Sequence, residues 1–342
     1  AHCKVRHVGD AYAAVVAETY AQAKDAAEAI VADIKELPAI VDMKEALANP
    51  KNRVHDEIPD NQCFDWGWIE DNRAKTDEAI RKAPHVTTVY LTNNRLIPNA
   101  MEPRASIGEY SPGTGDYKLT TTSQNPHLTR LLVAAFVLGI PENKLTVVAP
   151  DVGGGFGSKI YHYGEEALVL AAAKKLGRPV KWTAERSESF LTDAHGRDHV
   201  TKFELACEKD GTFIAFRTET LANVGAYLSN FSTCVPTFLH GTLMAGNYAV
   251  PNVYVNVKTV FTNTAPVDAY RGAGRPEATY SIERVIDVTA RELGIDPVEI
   301  RRKNFIQPSQ FPYTTPVGLQ YDTGNYAATM DKLIEIAELK GC

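Results

Sequence analysis

The chain has 342 residues, is 44% apolar and 23% charged, and carries a formal net charge of -6. This is the profile of a soluble globular protein with room for about two domains and a sizeable core. It excludes a basic field for nucleic acid or anionic membrane, and no apolar run reaches the roughly 20 residues that span a bilayer. The five cysteines, Cys3, Cys63, Cys207, Cys234 and Cys342, are scattered and form no Cys-x-x-Cys. Neither a zinc nor an iron–sulfur site is expected within the chain, and a reduced cytoplasmic setting fits best. The first residues read as mid-domain sequence with no leading methionine, so the start of the protein is expected upstream.

Residues 9–18 read as a strand, and Thr19 is expected to cap an Ala-rich helix over 19–37, with Pro38 just beyond it. The polar stretch 49–68 reads as a linker between domains. A helix over 72–83 and a strand over 86–92 open the next unit, and the Pro- and Gly-rich stretch 101–117 is expected to be irregular. An apolar helix over 128–138 is stopped by Gly139 and Pro141. A short strand over 145–149 follows, then a helix over 165–176 closed by Gly177. Strands over 201–207 and 212–221 flank Lys209-Asp210-Gly211, a hairpin signal, and 253–260 alternates as a strand. A long helix covers 277–293, and Asp296-Pro297 starts another with Asp as cap and Pro in the first turn. The fold class is α+β, a small part of one domain followed by a larger mixed α/β domain.

Chemistry concentrates in the turns. The run Gly153-Gly154-Gly155-Phe156-Gly157-Ser158-Lys159 joins the short strand to a helix, and glycines let a backbone approach a ligand closely. A phosphate loop requires Gly-Lys-Ser/Thr, whereas Ser158 precedes Lys159 and Ile160 follows. The dinucleotide pattern fails too, since its last glycine falls on Ser158 or Ile160. Two more polar turns feed helix starts: Thr122-Ser123-Gln124-Asn125-Pro126-His127 and Val267-Asp268-Ala269-Tyr270-Arg271-Gly272-Ala273-Gly274-Arg275. Helix N-termini favour anionic ligands, so three such turns are expected to converge on one anionic, oxygen-rich cofactor. Gln124 would donate a neutral hydrogen bond to it and Arg271 a charge-assisted one.

In order and separation, these three segments resemble the molybdenum-binding large subunit of the xanthine oxidase family of hydroxylases. They are most similar to bacterial subunits of the aerobic carbon monoxide dehydrogenase type. The likeness extends to Asn93-Asn94-Arg95-Leu96-Ile97-Pro98, Met101-Glu102-Pro103-Arg104 and Gly225-Ala226-Tyr227-Leu228, nearly the whole chain. It implies residues 1–58 as the end of an α/β hammerhead-type domain with its linker, and 59–342 as the first molybdopterin-binding domain. The second such domain would be absent. It implies Gln124 on an oxo ligand of molybdenum, Phe156 and Gly157 beside the metal's apical ligand, and Gly154 and Gly155 as further cofactor-binding residues. Arg271, Gly272 and Ala273 would lie on its substrate side. The implied cofactor is molybdenum–molybdopterin in its cytosine dinucleotide form, whose own sulfurs hold the metal, so no protein ligand to metal is expected.

The resemblance further implies an FAD-binding medium subunit and a [2Fe–2S] small subunit, in a dimer of heterotrimers. The family's large subunit is roughly twice as long, and its general-base glutamate lies in the part not present here. The chain alone is therefore expected to be inactive. The alternative is a non-catalytic cofactor-binding or scaffold fragment, either half of a split subunit or an excised domain. Members that oxidise carbon monoxide carry a copper-binding cysteine where Gly272 stands. Purine-oxidising members carry a glutamate at Ile160 and a phenylalanine at Ala273. Both substrates are disfavoured.

Other polar residues have plainer readings. His127 is expected at a helix start or in the core, and Glu165 and Glu166 at a solvated helix start, since neighbours face different sides. Asp193, His195 and His199 are expected to be structural rather than a metal set. Cys234 is expected to be a buried inert thiol rather than a wall of a substrate funnel.

Overall fold

The computed structural model describes residues 4–49 and 51–338; Cys3 and Cys342 lie outside them. Helix α1 (Tyr20–Glu28) starts at a capping box, with the Thr19 side chain on the Gln22 N–H and Gln22 returning to the Thr19 N–H. It ends well short of residue 37. No residue of α1 is buried, and the β-branched Ile30, Val31 and Ile34 beyond it have no packed face to hold them helical. Residues 9–18 pair with no strand among the described residues, because alternation without a neighbouring ladder does not make a sheet.

Helix α2 (Met43–Ala48) buries Met43 and Ala46, and residues 51–68 of the stretch read as a linker pack into the fold. Asn61, fully buried and left-handed (φ +56), accepts from the Val54 N–H and donates to the Ala46 and Asn52 carbonyls. The second half of that stretch is strand β1 (Gln62–Trp68). Helix α3 (Asp71–Lys82) and strand β2 (His85–Asn93) follow as expected.

Two sheets organise the rest. The smaller uses β3 (Ala105–Ser111), β4 (Asp116–Thr121), β5 (Leu145–Val148) and β6 (Val180–Thr183) in the order β5-β4-β3-β6. Strand β3 lies inside the stretch expected to be irregular, and β4 begins at its end. Its Pro112, Gly113 and Gly115 sit in the hairpin turn. Mid-strand Gly108 is where a Cβ would come within 2.5 Å of the Val169 backbone. That backbone belongs to helix α5 (Gly164–Leu176), which crosses the sheet closely because Gly108 has no side chain. Helix α4 (Pro126–Leu131), capped by Asn125, runs into a π-turn segment Leu132–Leu138 and stops at left-handed Gly139. Leu119, Val133, Ala134, Leu145, Leu170 and Ala173 form the core between them.

After helix α6 (Arg186–Thr192) comes the larger sheet, built on β7 (His199–Cys207), β8 (Phe213–Gly225) and β9 (Asn252–Phe261). Its order is β1-β9-β8-β7-β2, with β8 and β9 parallel. Helix α7 (Phe238–Gly241) lies in the long β8–β9 crossover. Helix α8 (Arg275–Leu293) covers one face through Ile282, Val285 and Ile286, against Phe203, Leu205 and Phe216. On the other face α3 places Ile80 against Ala206 and Ala215. Both faces are covered, so β7 reads as a nearly unbroken buried run rather than alternating. Helix α9 (Pro297–Asn304), capped by Asp296, a short hairpin and a last helix over Tyr326–Ile336 complete the described chain.

Three histidines near the joint of the two sheets are held neutral. Burial, with Arg95 close by, takes His195 down to about 4 from 6.5. Burial beside Arg197 takes His199 to about 3, and burial beside His199 takes His240 to about 4. With folded pKa values below the unfolded one, this stability is complete above pH 6.5 and is lost as pH falls towards 4. The unfolded chain then binds protons that the folded chain refuses. Urea denaturation between pH 7.5 and 4.5 should show a loss on the order of 1 kcal/mol per pH unit per histidine. Constant stability across that window would mean that the imidazoles stay open to protons.

Candidate functional site

The three turns sit at the C-terminal ends of β4, β5 and β9, each leading into a helix. β4 and β5 are adjacent and parallel, the arrangement whose strand ends open a crevice for ligands. The turns meet in atomic contact. Gln124 Oε1 accepts from the Gly157 N–H at 2.9 Å and the Lys159 N–H at 3.3 Å, and the Gln124 N–H donates to the Lys159 carbonyl at 2.8 Å. The third turn joins on the other side, where the Arg271 N–H reaches the Phe156 carbonyl at 2.8 Å.

Glycine is required at two of these contacts. A Cβ on Gly155 would stand 2.2 Å from Gln124 Oε1, and one on Gly157 (φ +114) would stand 2.1 Å from the Ala269 carbonyl oxygen. Phe156 itself is left-handed (φ +54) with its ring 40% exposed, so the loop turns an aromatic face outward.

The two amides that bind Gln124 can only donate, so the side-chain oxygen must face them. The amide NH2 is thereby turned away from the loop, and it meets no acceptor among the described residues. The Gly155 and Phe156 N–H groups are likewise without a partner there, as is the exposed Arg271 guanidinium. Convergent donors with no acceptor of their own suit an oxygen-rich anionic group.

Ion pairs with buried cations brace the turns, and these were not legible in the sequence. Lys159, 2% exposed, donates through Nζ to Glu102 Oε2 and to the Glu102 carbonyl. Glu102 Oε2 also accepts from the Gly153 N–H at 2.9 Å. Burial pushes the Glu102 carboxyl up, but Lys159 and the Gly153 N–H outweigh it and hold the pKa below the usual range. Arg104, 4% exposed, pairs with Asp193 and Glu165 and lies 3.6 Å from the Tyr163 ring centre. Arg197 pairs with Glu277 at 3.0 Å and donates to the Arg271 carbonyl at 2.8 Å.

The other polar candidates sort accordingly. Glu165 and Glu166 are not solvated, although they do part to different sides. Glu165 serves Arg104, while Glu166, 5% exposed, accepts from Thr121, His162 and the Tyr163 N–H. Asp193 holds Arg104, and His195 lies against Arg95. Among the described residues no group of three His, Cys, Asp or Glu could hold a metal ion. His127 is exposed in the first turn of α4. Cys234 is half-buried, and burial with the Asp268 charge raises its thiol pKa.

With this geometry in view, residues 54–305 match the family described as Molybdopterin cofactor-binding domain, and the chain belongs to that family. It is 36% identical to the carbon monoxide dehydrogenase large chain of Hydrogenophaga pseudoflava, over 95% of this chain and 42% of that one. It is 30% identical to the nicotinate dehydrogenase large molybdopterin subunit of Eubacterium barkeri, over 98% of this chain and 74% of that one. Among solved structures, quinoline 2-oxidoreductase from Pseudomonas putida 86 superposes with a TM-score of 0.91 at 33% identity, covering 98% of this chain and 42% of that one. The chain thus spans about two fifths of the carbon monoxide dehydrogenase large chain's length. The chemistry of the donor set fits molybdopterin: the Gln124 amide, two loop N–H groups and the Arg271 cation, all without an acceptor among the described residues, belong to three turns held in contact with one another.

Gly157→Ala should lose about 1–3 kcal/mol from the left-handed backbone alone, and more from the Ala269 carbonyl. Gly115, also left-handed (φ +71) but in open space, is the control. Equal losses in urea titrations of the two alanine variants would show that close approach of the turns is not what Gly157 provides.

Proposed function

We propose that this chain is the molybdopterin-binding portion of a molybdenum hydroxylase that oxidises a carbon centre with oxygen from water. The observation that carries this is the Gln124 amide, whose orientation the glycine loop dictates and whose NH2 is free to donate. The cofactor, when bound, supplies a two-electron acceptor with Lewis-acid character. Gln124 donates to an oxygen of that group, and Gly154, Gly155 and Gly157 let it approach the backbone. Phe156 offers a flat apolar face, and the Arg271 guanidinium draws anionic or carbonyl oxygen into the crevice. Gln124 and Arg271 are the candidate catalytic residues. The proton acceptor of the reaction belongs to the remainder of the large subunit, so the chain alone is inactive.

The finer assignments rest on family likeness. They are a cytosine dinucleotide form of the cofactor, a [2Fe–2S] small subunit and an FAD-binding medium subunit that carry the electrons away, and a dimer of heterotrimers. We assign residues 1–58 to the end of a hammerhead-type domain and 59–342 to the first molybdopterin-binding domain. Free cysteines Cys63, Cys207 and Cys234 support a cytoplasmic setting, and no helix among the described residues is long and apolar enough to cross a membrane. A second reading, a large subunit split between two polypeptides, is supported by the 74% of the nicotinate dehydrogenase subunit that the chain covers. A neighbouring reading frame that encodes the remaining portion is its test.

In the complete enzyme, Gln124→Ala should keep its molybdenum and lose about 10²–10³ in turnover, equivalent to about 2.7–4 kcal/mol. Metal analysis and dye reduction, with whichever aldehyde or N-heterocycle reduces the wild type fastest, measure both. Unchanged turnover in a fully loaded variant would reduce Gln124 to a structural brace.

Carbon monoxide is not the substrate in this reading. Gly272 has φ +102, and a Cβ there would fall 2.4 Å from the Pro276 ring. The complete enzyme should bind no stoichiometric copper, and Gly272→Cys should not create a copper site, because the side chain has no room on this loop. Ala273 leaves open the space that a ring fills in purine hydroxylases, which favours a substrate bulkier or less planar than xanthine. Copper analysis and a carbon monoxide-dependent dye assay decide it; clear turnover of the gas would overturn the assignment.

A further inference from the structure

Arg197 stands directly behind the third turn. Its backbone is left-handed (φ +65), a conformation that a non-glycine residue keeps where its surroundings dictate it. The residue is 7% exposed. Its guanidinium donates to the Arg271 carbonyl at 2.8 Å, the Tyr270 carbonyl at 3.4 Å and Glu277 Oε1 at 3.0 Å. Its central carbon lies 4.8 Å from the Tyr270 ring centre. Glu277, fully buried in the first turn of α8, supplies the countercharge that orients this plane.

Two successive carbonyls of the turn therefore face one planar donor. In a trans peptide the N–H points opposite to the C=O, and the one cis bond among the described residues is Phe311–Pro312. The Tyr270–Arg271 peptide displays the consequence: its carbonyl faces Arg197, and its N–H reaches away to the Phe156 carbonyl. The Arg271–Gly272 peptide is turned in the same sense. Its N–H is sent away from Arg197, to the side of the glycine loop, and there it meets no acceptor among the described residues.

We propose that Arg197 is a positioning residue that turns the Arg271–Gly272 peptide so that the Gly272 N–H is presented as a hydrogen-bond donor to an oxygen atom bound in the crevice. This donor adds to the Arg271 guanidinium and the Gln124 amide, which also lack an acceptor among the described residues. This deepens the molybdopterin reading and rests on it for the identity of the ligand. A lysine at 197 keeps the charge opposite Glu277 but has no planar fork to hold two carbonyls at once.

Arg197→Lys is the test, followed by amide hydrogen–deuterium exchange on this chain and by molybdenum content in the complete enzyme. Exchange over residues 270–274 should quicken by about tenfold, a local opening, while α8 and the larger sheet keep their protection. Molybdenum retention should drop about three- to tenfold, the loss of one hydrogen bond. If the lysine variant fails to fold, the double variant Arg197→Met with Glu277→Met removes both charges together and should show the same local pattern. Wild-type exchange at 270–274, or loosening spread evenly through the domain, overturns the proposal. Local loosening with full molybdenum content overturns the donor role. A wild-type complete enzyme without molybdenum sinks the cofactor reading instead, and the exchange data still decide what Arg197 does.

Discussion

The site depends on one interaction, the Gln124 side-chain oxygen held by the Gly157 and Lys159 amides. It ties the turn after β4 to the turn after β5. It also leaves the Gln124 NH2 pointing where no group among the described residues takes it up. Gly155 is the condition for this, because any side chain there would occupy the place of the glutamine oxygen. The turn after β9 is fastened to the same loop through a single backbone bond, Arg271 to Phe156, and Gly157 makes room for it. Three turns that lie far apart in sequence thus share one small set of backbone atoms.

Behind that surface, charged pairs do the holding. The cations Lys159, Arg104 and Arg197 are buried, and their partners range from fully buried Glu277 to partly exposed Glu102. Such pairs add little net stability over an apolar core, but removing one partner leaves a buried charge, so each is strongly directional. Lys159 and Arg197 also donate to loop carbonyls, while Arg104 donates to the Thr192 hydroxyl and lies over the Tyr163 ring. They specify loop geometry that hydrophobic packing, being non-directional, would leave loose.

The relatives named above act on different molecules by their own descriptions, and the crevice residues of this chain do not copy any one specialised pattern. Gly272 lacks a soft ligand, Ile160 lacks a carboxylate and Ala273 lacks a ring. Over Gly272, Ala273 and Gly274, φ values of +102, +42 and +88 hold the turn in a conformation hostile to larger side chains.

Local signals in the sequence were sufficient wherever neighbours in the chain decide the outcome. The Asp296 and Thr19 caps, the Gly139 and Gly177 stops and the hairpin at Lys209-Asp210-Gly211 are short-range chemistry, and the structure has them. The order of three glycine-bearing and polar turns was enough to indicate the family. Tertiary structure alone decided the rest. A strand exists where another strand pairs with it, which is why 9–18 is not one while 62–68 and 105–111 are. Helix α1 buries no residue, so no packing face carries it on past Glu28 towards residue 37. The burial of Lys159, Arg104 and Arg197 follows from partners roughly 60 to 90 residues away, and no spacing rule reaches that far.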